Sequence, residues 1–394
     1  MDEPSIGLHS KDTYKLIQML FRLKEKGNCV LVVEHDPDII KSAEWIVDIG
    51  PHAGVHGGEL IFNGHYNGLI ETNSITGKYL SRTDKPVSGR KTSDKFIELN
   101  NVSVNNLKNI SVKIPEKVLT CITGVAGPGK SSLINGFFIK KFPDAIVIDQ
   151  DMINGNVRSN PATYLGVFDI IRKEFGVATT SDSALFSFNS KGACPKCKGK
   201  GFINLEMNFL DEIRITCDEC EGKKYIDSVL KLKYQDKNIY DILNMTVDQA
   251  SEFFNLPEIK RRLKILSDMG LGYLEIGQPL STLSGGEAQR IKLASELHKK
   301  GNIYVTDEPT TGLHLADIEK LLLMIKRLVE NDNTVVIIEH NMEIIRNADW
   351  IIDLGPEGGG VGGEVLFEGT PEDIIKCERR YTGKYLKKYL YQQV

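Results

Sequence analysis

Residues 2–9 read DEPSIGLH and residues 307–314 read DEPTTGLH, an offset of 305 positions. The same offset relates VVEHD at Val32–Asp36 to IIEHN at Ile337–Asn341, and Glu44–Gly64 to Asp349–Gly369. TGKYL recurs at Thr76 and Thr382, one position out of step. A gapless match over about sixty residues marks two copies of one structural unit. The chain must therefore build the same local fold twice, yet only the second copy has a long run of sequence before it. The first opens directly on Asp2, without the apolar strand that precedes Asp307.

Within the first copy, Asp12–Lys26 has amphipathic helical spacing and stops at Gly27-Asn28. Val30–Val33 and Trp45–Ile49 read as buried strands, and Gly57-Gly58 turns the chain into Glu59–Phe62. Ser81–Lys95 is polar and carries Pro, Gly and Ser, as a linker does. The expected organisation is a partial module over 1–80, a linker over 81–95 and a complete module over 96–394.

In the complete module, Phe96–Leu99 and Val118–Ile122 read as strands, and Gly124–Ser132 reads GVAGPGKSS. This G-x-x-x-x-G-K-S lies between a strand and a helical pattern, the context a phosphate loop requires. Gly124, Gly127 and Gly129 let backbone wrap phosphates, Lys130 reaches the terminal phosphates, and Ser131, followed by Ser132, is placed for magnesium. Farther on, Ser284, Gly285 and Gly286 precede a helical run, LSGGEAQRIKLASEL at Leu283–Leu297. Backbone N–H groups at such a helix start attract anions, although an ordinary helix cap has the same form. Asp307 and Glu308 end the apolar strand Ile303–Thr306, and His340 follows the strand Val335–Ile338. Ile318–Val329 carries its apolar residues at helical spacing, which predicts a core-facing helix, and Leu230–Phe254 has a helical core pattern.

CPKC at Cys194–Cys197 and CDEC at Cys217–Cys220 make two knuckles, C-x2-C and C-x2-C, whose four thiolates suit a closed, structural zinc site. The other three cysteines, Cys29, Cys121 and Cys377, are scattered, which argues against a disulfide framework. Lysines 191, 196, 198, 200, 223 and 224 crowd the knuckles beside Asp218, Glu219 and Glu221. Charge alone leaves a phosphate-binding face and a merely solvated face equally open. The net charge of −4 gives no global basic field, so nucleic-acid binding must rest on a local patch. No apolar run approaches the ~20 residues of a membrane helix, so the chain is not expected to insert directly into a membrane.

The phosphate loop, LSGGEAQRIKLA and the Asp307-Glu308 strand, in this order, resemble an ABC-type ATPase, and their wording is similar to the UvrA family, the DNA-damage-sensing subunit of excinuclease. The resemblance covers nearly the whole chain and implies an α/β fold: an ABC-type P-loop ATPase module with an inserted helical signature region at about 226–300 and a zinc module at 190–225. A remnant of a second ATPase module precedes it. It implies ATP, Mg2+ and Zn2+ as cofactors, Asp307 on magnesium, Glu308 as general base, His340 as the phosphate-contacting switch and Gln150, in IVIDQ, as nucleotide sensor. It further implies a cytoplasmic hydrolase that binds DNA in nucleotide excision repair and the SOS response, working with other excinuclease subunits. The compact paralogues linked to resistance against DNA-binding drugs are an alternative, and a drug-transporter ATPase subunit a weaker one, since that role needs no zinc module.

The sequence departs from the family at Ala126 and Pro128, where serine is usual, at Thr306, and over residues 151–157. Pro128 offers no N–H to a phosphate. In the family, a signature stretch closes over ATP held by the opposite module's phosphate loop. The first copy lacks such a loop, so Asp2 and Glu3 are expected to serve no ATP. Ser284 is expected to face a loop supplied by a second copy, head to tail, or by a separate N-terminal half.

Overall fold

The computed structural model describes residues 1–5, 7–50, 57–82, 89–125, 127–149, 158–207, 210–297, 299–377 and 380–391. Gln150, Ala126 and residues 151–157 lie outside these. The chain divides into two compact units, residues 1–150 with 296–394, and residues 151–295.

The first unit is built on a six-stranded sheet. Its strands are β5 (Leu119–Gly124), β6 (Ile146–Ile148), β9 (Ile303–Asp307), β10 (Thr334–Ile338), β11 (Trp350–Gly355) and β12 (Glu364–Gly369). The spatial order is β12-β11-β5-β10-β9-β6, parallel except for β12 at one edge. β5 and β10 are buried at every position, as expected of central parallel strands covered on both faces. One face is covered by the hairpin of β3 (Phe96–Val102) and β4 (Ile110–Pro115) and by the helical stretch from Lys130 to Phe138. The helix Leu315–Glu330 buries Ile318, Leu321, Leu322, Ile325, Leu328 and Val329, the residues its periodicity marked for the core.

The second unit contains the antiparallel pair β7 (Phe202–Met207) and β8 (Leu210–Thr216), the helices Val167–Thr179 and Pro257–Asp268, and the helix Gly285–Glu296. The pattern over Leu230–Phe254 resolves into short helices, including Ile239–Leu243 and Val247–Phe253. Capping boxes at Asn238/Asp241 and Thr246/Gln249 start each one afresh. Their apolar residues Ile239, Ile242, Leu243, Val247 and Ala250 are buried.

The first sequence copy repeats the second down to its irregularities. β1 (Ile46–Gly50) pairs with β2 (Glu59–Gly64) in the register that joins β11 to β12, Ile46 to Gly64 as Ile351 to Gly369. The shift after Asp48 matches the one after Asp353. Two expectations fail here. Val30–Val33 is neither buried nor a regular strand; only an isolated bridge joins Val33 to Asp2. β1 forms, but its side chains alternate between exposed and half-buried. The reason is one missing neighbour: β10 and β11 flank β5, and nothing among the described residues takes that place in the first copy.

The two copies face each other about a local two-fold relation. A Cβ on Gly7 would lie 2.9 Å from Glu308 Oε2, and one on Gly312 would lie 3.5 Å from Glu3 Oε2. His9 stands edge-on to His340 at 5.9 Å, as His35 does to His314 at 6.0 Å. His9 Nε2 is 3.3 Å from Thr382 Oγ1, and His314 Nε2 is 3.2 Å from Thr76 Oγ1. Thr382 and Thr76 donate in turn to Asp353 and Asp48. Beyond this contact, the described end of the linker is tied down. Arg90 holds Glu372 and the Arg346 carbonyl, and Lys91 N–H donates to Asp349.

Candidate nucleotide site and four-cysteine site

The phosphate loop leaves the C-terminal end of β5, next to β10 and one strand from β9. The loop at this end of the sheet, between strand and helix, is where open α/β sheets bind ligands. Gly124 and Gly129 have φ of 135° and 108°. A Cβ at Gly124 would meet the Leu354 carbonyl at 2.0 Å, and one at Gly129 would meet Leu107 at 2.5 Å, so both positions require glycine. Gly127 O is held by Asn106 Nδ2 at 3.1 Å and by Gly359 N–H at 3.1 Å. Pro128 is buried, its Cα 3.2 Å from where a Cβ on Gly362 would stand. Lys130 is buried and folds back on the loop, donating to the Gly124 and Val125 carbonyls. Burial pushes its pKa down to about 8, against the pull of Glu308 and Asp307. Ser131 is exposed at the start of the helix Lys130–Leu133, and Ser132 Oγ accepts from Asn105.

Asp307 and Glu308 sit where β9 ends, and the field of Lys130 reaches both. Burial raises the pKa of both carboxyls. Glu339 and Asp307 add to the rise at Glu308, so a proton leaves Glu308 less readily than from a free carboxyl. Glu308 occupies φ 44°, an unusual value for glutamate, fixed by its N–H bonding Ile338 O across to β10. His340 Nε2 lies 3.7 Å from Glu308 Oε1. Burial first, then Lys130, keep its imidazole neutral by lowering its pKa well below the usual value. Its Nδ1 has no hydrogen-bond partner. Lys130, Asp307, Glu308 and His340 therefore gather at the ends of three adjacent strands.

The sequence reading missed Glu339. This carboxylate is buried and accepts four bonds: Thr310 N–H at 3.0 Å, Thr310 Oγ1 at 2.5 Å, His340 N–H at 2.8 Å and Asn341 N–H at 3.0 Å. It ties the turn after Glu308 to the segment carrying His340. The repeat held the clue. Glu34 does the same in the first copy, accepting from Ser5, His35 and Asp36 N–H groups.

In the second unit, Ser284 N–H donates to Glu287, and Glu287 N–H donates to Ser284 Oγ, closing a capping box. Ser284 and Gly285 are exposed, and Gly286 is half-buried. The sequence stretch is thus a capped helix start whose first residues are exposed.

The thiols of Cys194, Cys197, Cys217 and Cys220 are buried and lie within 4.8 Å of one another. Sγ separations are 3.9 Å for Cys194–Cys217 and 3.6 Å for Cys197–Cys220. Four sulfurs about 2.3 Å from one ion form a tetrahedron with edges of about 3.8 Å, so the set fits zinc. Lys198-Gly199 and Glu221-Gly222 turn both knuckles through positive φ, and Gly201 N–H donates to Cys197 Sγ. The surrounding lysines are less free than their number suggests. Lys196 pairs with Asp218, Lys223 with Glu221, and Lys191 with Asp182, while Lys224 Nζ is 3.4 Å from Gly277 O. Lys198 and Lys200 are exposed.

Comparison with known proteins agrees with this geometry. Residues 107–311, over half the chain, match the family model described as ABC transporter. The chain is 48% identical over 99% of its length to UvrABC system protein A of Staphylococcus aureus strain COL and to that of Clostridium tetani. It spans about half the length of these relatives, 45% in each case. The crystal structure of UvrA2 from Deinococcus radiodurans superposes with a TM-score of 0.91 at 41% identity, covering 99% of this chain and 51% of that one. RNase-L Inhibitor, at 18% identity and a TM-score of 0.53 over 96% of this chain and 62% of its own, shares the fold. No helix among the described residues is long and apolar enough to cross a membrane. The chain carries an ABC-type ATPase domain and a four-cysteine cluster, and it belongs to the UvrA family.

Proposed function

We propose that the chain hydrolyses ATP to gate binding to damaged DNA, in the manner of the excision-repair protein it resembles. The observation that carries this reading is the gathering of Lys130, Asp307, Glu308 and His340 at neighbouring strand ends. Gly124, Gly127 and Gly129 shape the loop around the phosphates, with Lys130 on the terminal ones. Ser131 and Asp307 hold magnesium, which neutralises charge developing on the phosphates. Glu308, its pKa raised by burial, takes the proton of the attacking water. The neutral His340 donates a hydrogen bond toward the terminal phosphate, and Gln150 has the sensor role by family likeness. Ser284, Gly285 and Gly286 close over ATP bound to another module's loop.

Cys194, Cys197, Cys217 and Cys220 hold zinc as a structural ion, because four thiolates leave no open position. Lys198 and Lys200, exposed beside the knuckles, contact DNA phosphates. The alternative substrate is DNA carrying a bound drug, as in a self-resistance ATPase. A transporter role is disfavoured because the four-cysteine module has no task there. The test is ATP turnover with no DNA, with intact duplex and with duplex bearing a bulky adduct or an intercalated drug. Stimulation by the adduct supports the repair reading, and stimulation by the drug complex alone supports the alternative. Equal turnover in all mixtures removes the DNA-gated mechanism.

A further inference from the structure

We propose that the cavity between the two copies is a binding site for a polyamine, a flexible chain carrying two or more separated ammonium groups. The cavity has a volume of about 450 Å³ and lies within the first unit. Small-molecule sites have this size. Its walls come from residues 3–10, 34–41, 66–82, 308–319 and 339–343, together with the helix Tyr381–Tyr391. It meets the nucleotide site at Glu308 and His340, but no described residue of the phosphate loop lines it. The cavity is thus a separate space that shares a wall with the nucleotide site.

The lining is acidic: eight carboxylates face three lysine or arginine side chains, so a cation is the complementary ligand. Some of the acids are compensated within the chain. Glu319 pairs with Arg82 and Glu343 with Arg346, while Glu34 and Glu339 accept backbone N–H groups. Asp36 is not. Its Oδ1 accepts from the N–H groups of Asp38 and Ile39, and its Oδ2 has no protein donor among the described residues. Burial first, with Asp38 and Glu34 adding, pushes its pKa up to about 6, against the pull of its own backbone bonds. Asp38 has Lys388 only at 3.9 Å. The second copy carries no such charge, because Asn341 caps the helix equivalent to the one Asp36 caps.

A single metal ion does not suit these groups. Among the described residues, only the four cysteines bring three or more ligand atoms close enough for one ion. The carboxylates are spread over both copies, so the ligand must carry separated charges. The same walls hold Leu8, Ile70, Leu80, Leu313 and Ile318, which suit the methylene segments between ammonium groups. The tyrosine rings already take cations: Arg82 lies over Tyr79 at 4.4 Å, and Lys41 over Tyr66 at 6.0 Å. An ammonium group beside Asp36 and Asp38 relieves a repulsion that the folded chain otherwise retains.

The experiment is isothermal titration calorimetry of the full chain with spermidine, without nucleotide or DNA, at about 0.1 M salt to screen the general field. One saturable site per chain is expected, and an equal concentration of magnesium chloride should not fill it. D36N combined with D38N removes two charges from the cavity. Asparagine keeps the helix cap, as Asn341 does in the second copy, so the fold is retained. The pair should weaken spermidine binding at least about tenfold. D144N with E252Q removes the same charge from exposed positions elsewhere and should leave binding unchanged. In the native chain, spermidine should slow hydrogen exchange at residues 34–41. No saturable binding, equal weakening by both double variants, or displacement by equimolar magnesium overturns the proposal. No arm uses ATP hydrolysis, so a chain that binds spermidine but never turns over ATP refutes the enzymatic reading and leaves the cavity site standing.

Discussion

Replacing Glu339 by glutamine should loosen the catalytic turn, by an amount that follows from its four bonds. One carboxylate oxygen accepts from Thr310 N–H and Oγ1, the other from His340 and Asn341 N–H. A glutamine has one oxygen, so its NH2 must face donors on one side. If the oxygen keeps His340 and Asn341, the Thr310 hydroxyl can rotate to accept, but the Thr310 N–H is orphaned in a buried place. An orphaned buried N–H costs about 1–3 kcal/mol, and three bonds lose the strengthening that a charged acceptor gave. The expected loss is about 2–4 kcal/mol, a large part of a typical domain's stability. Glu34→Gln is the internal control. It accepts the three matching backbone N–H bonds, without a hydroxyl bond, in a half-buried site where water can substitute, so it should cost less than about 1 kcal/mol. Urea unfolding followed by circular dichroism gives both values. Equal losses for the two variants, or a Glu339→Gln loss below about 0.5 kcal/mol, would falsify the assignment of Glu339 as the tie between the two catalytic segments.

Three further outcomes follow from the geometry. His9 is buried, with its pKa pushed from 6.5 down to about 4 by burial first and then by Lys130. Its contribution is complete above pH 6.5 and is lost as the pH falls toward 4, about 2 kcal/mol between pH 8 and 5. His9→Gln should flatten that part of the stability profile, and an unchanged slope would contradict the buried neutral imidazole. Stripping zinc with a chelator, or Cys197→Ser, should raise hydrogen exchange around residues 190–225 while leaving the β5–β10 backbone protected; exchange unaltered at the knuckles would mean no structural ion is held there. Lys198→Ala with Lys200→Ala should lower the salt dependence of DNA binding by about 0.9 in log–log slope per lysine, whereas Lys196→Ala should do less because Asp218 already pairs with it. Equal slopes for all three would remove the phosphate-contact reading.

How much of this was legible depended on whether the chemistry was local. The phosphate loop, the Asp307-Glu308 pair and the cysteine knuckles are contiguous words, and each needs its residue types at fixed spacing, so they could be read directly. The core face of Leu315–Glu330 was equally plain because helical periodicity encodes burial. Glu339 was not legible as a functional residue, since its role lies in bonds to Thr310 across a turn. It appeared only as a letter shared by two copies. The first copy misled for a related reason. Val30–Val33 and Trp45–Ile49 spell buried strands, but burial belongs to the pair of a strand and its neighbour, and pattern alone cannot report a missing β5. The lysines around the knuckles show the same limit, because three of the six are taken by acids that sequence order did not reveal as partners.

The central claim is that Lys130 holds the phosphates while Glu308 performs the chemistry. The direct measurement is nucleotide affinity and turnover on the same preparations of the native chain, Lys130→Ala and Glu308→Gln. Lys130→Ala should lose binding of a fluorescent ATP analogue. Glu308→Gln should bind it as the native chain does, with turnover reduced by about 10²–10⁴-fold. Native turnover in Glu308→Gln, or undiminished binding in Lys130→Ala, would contradict the account.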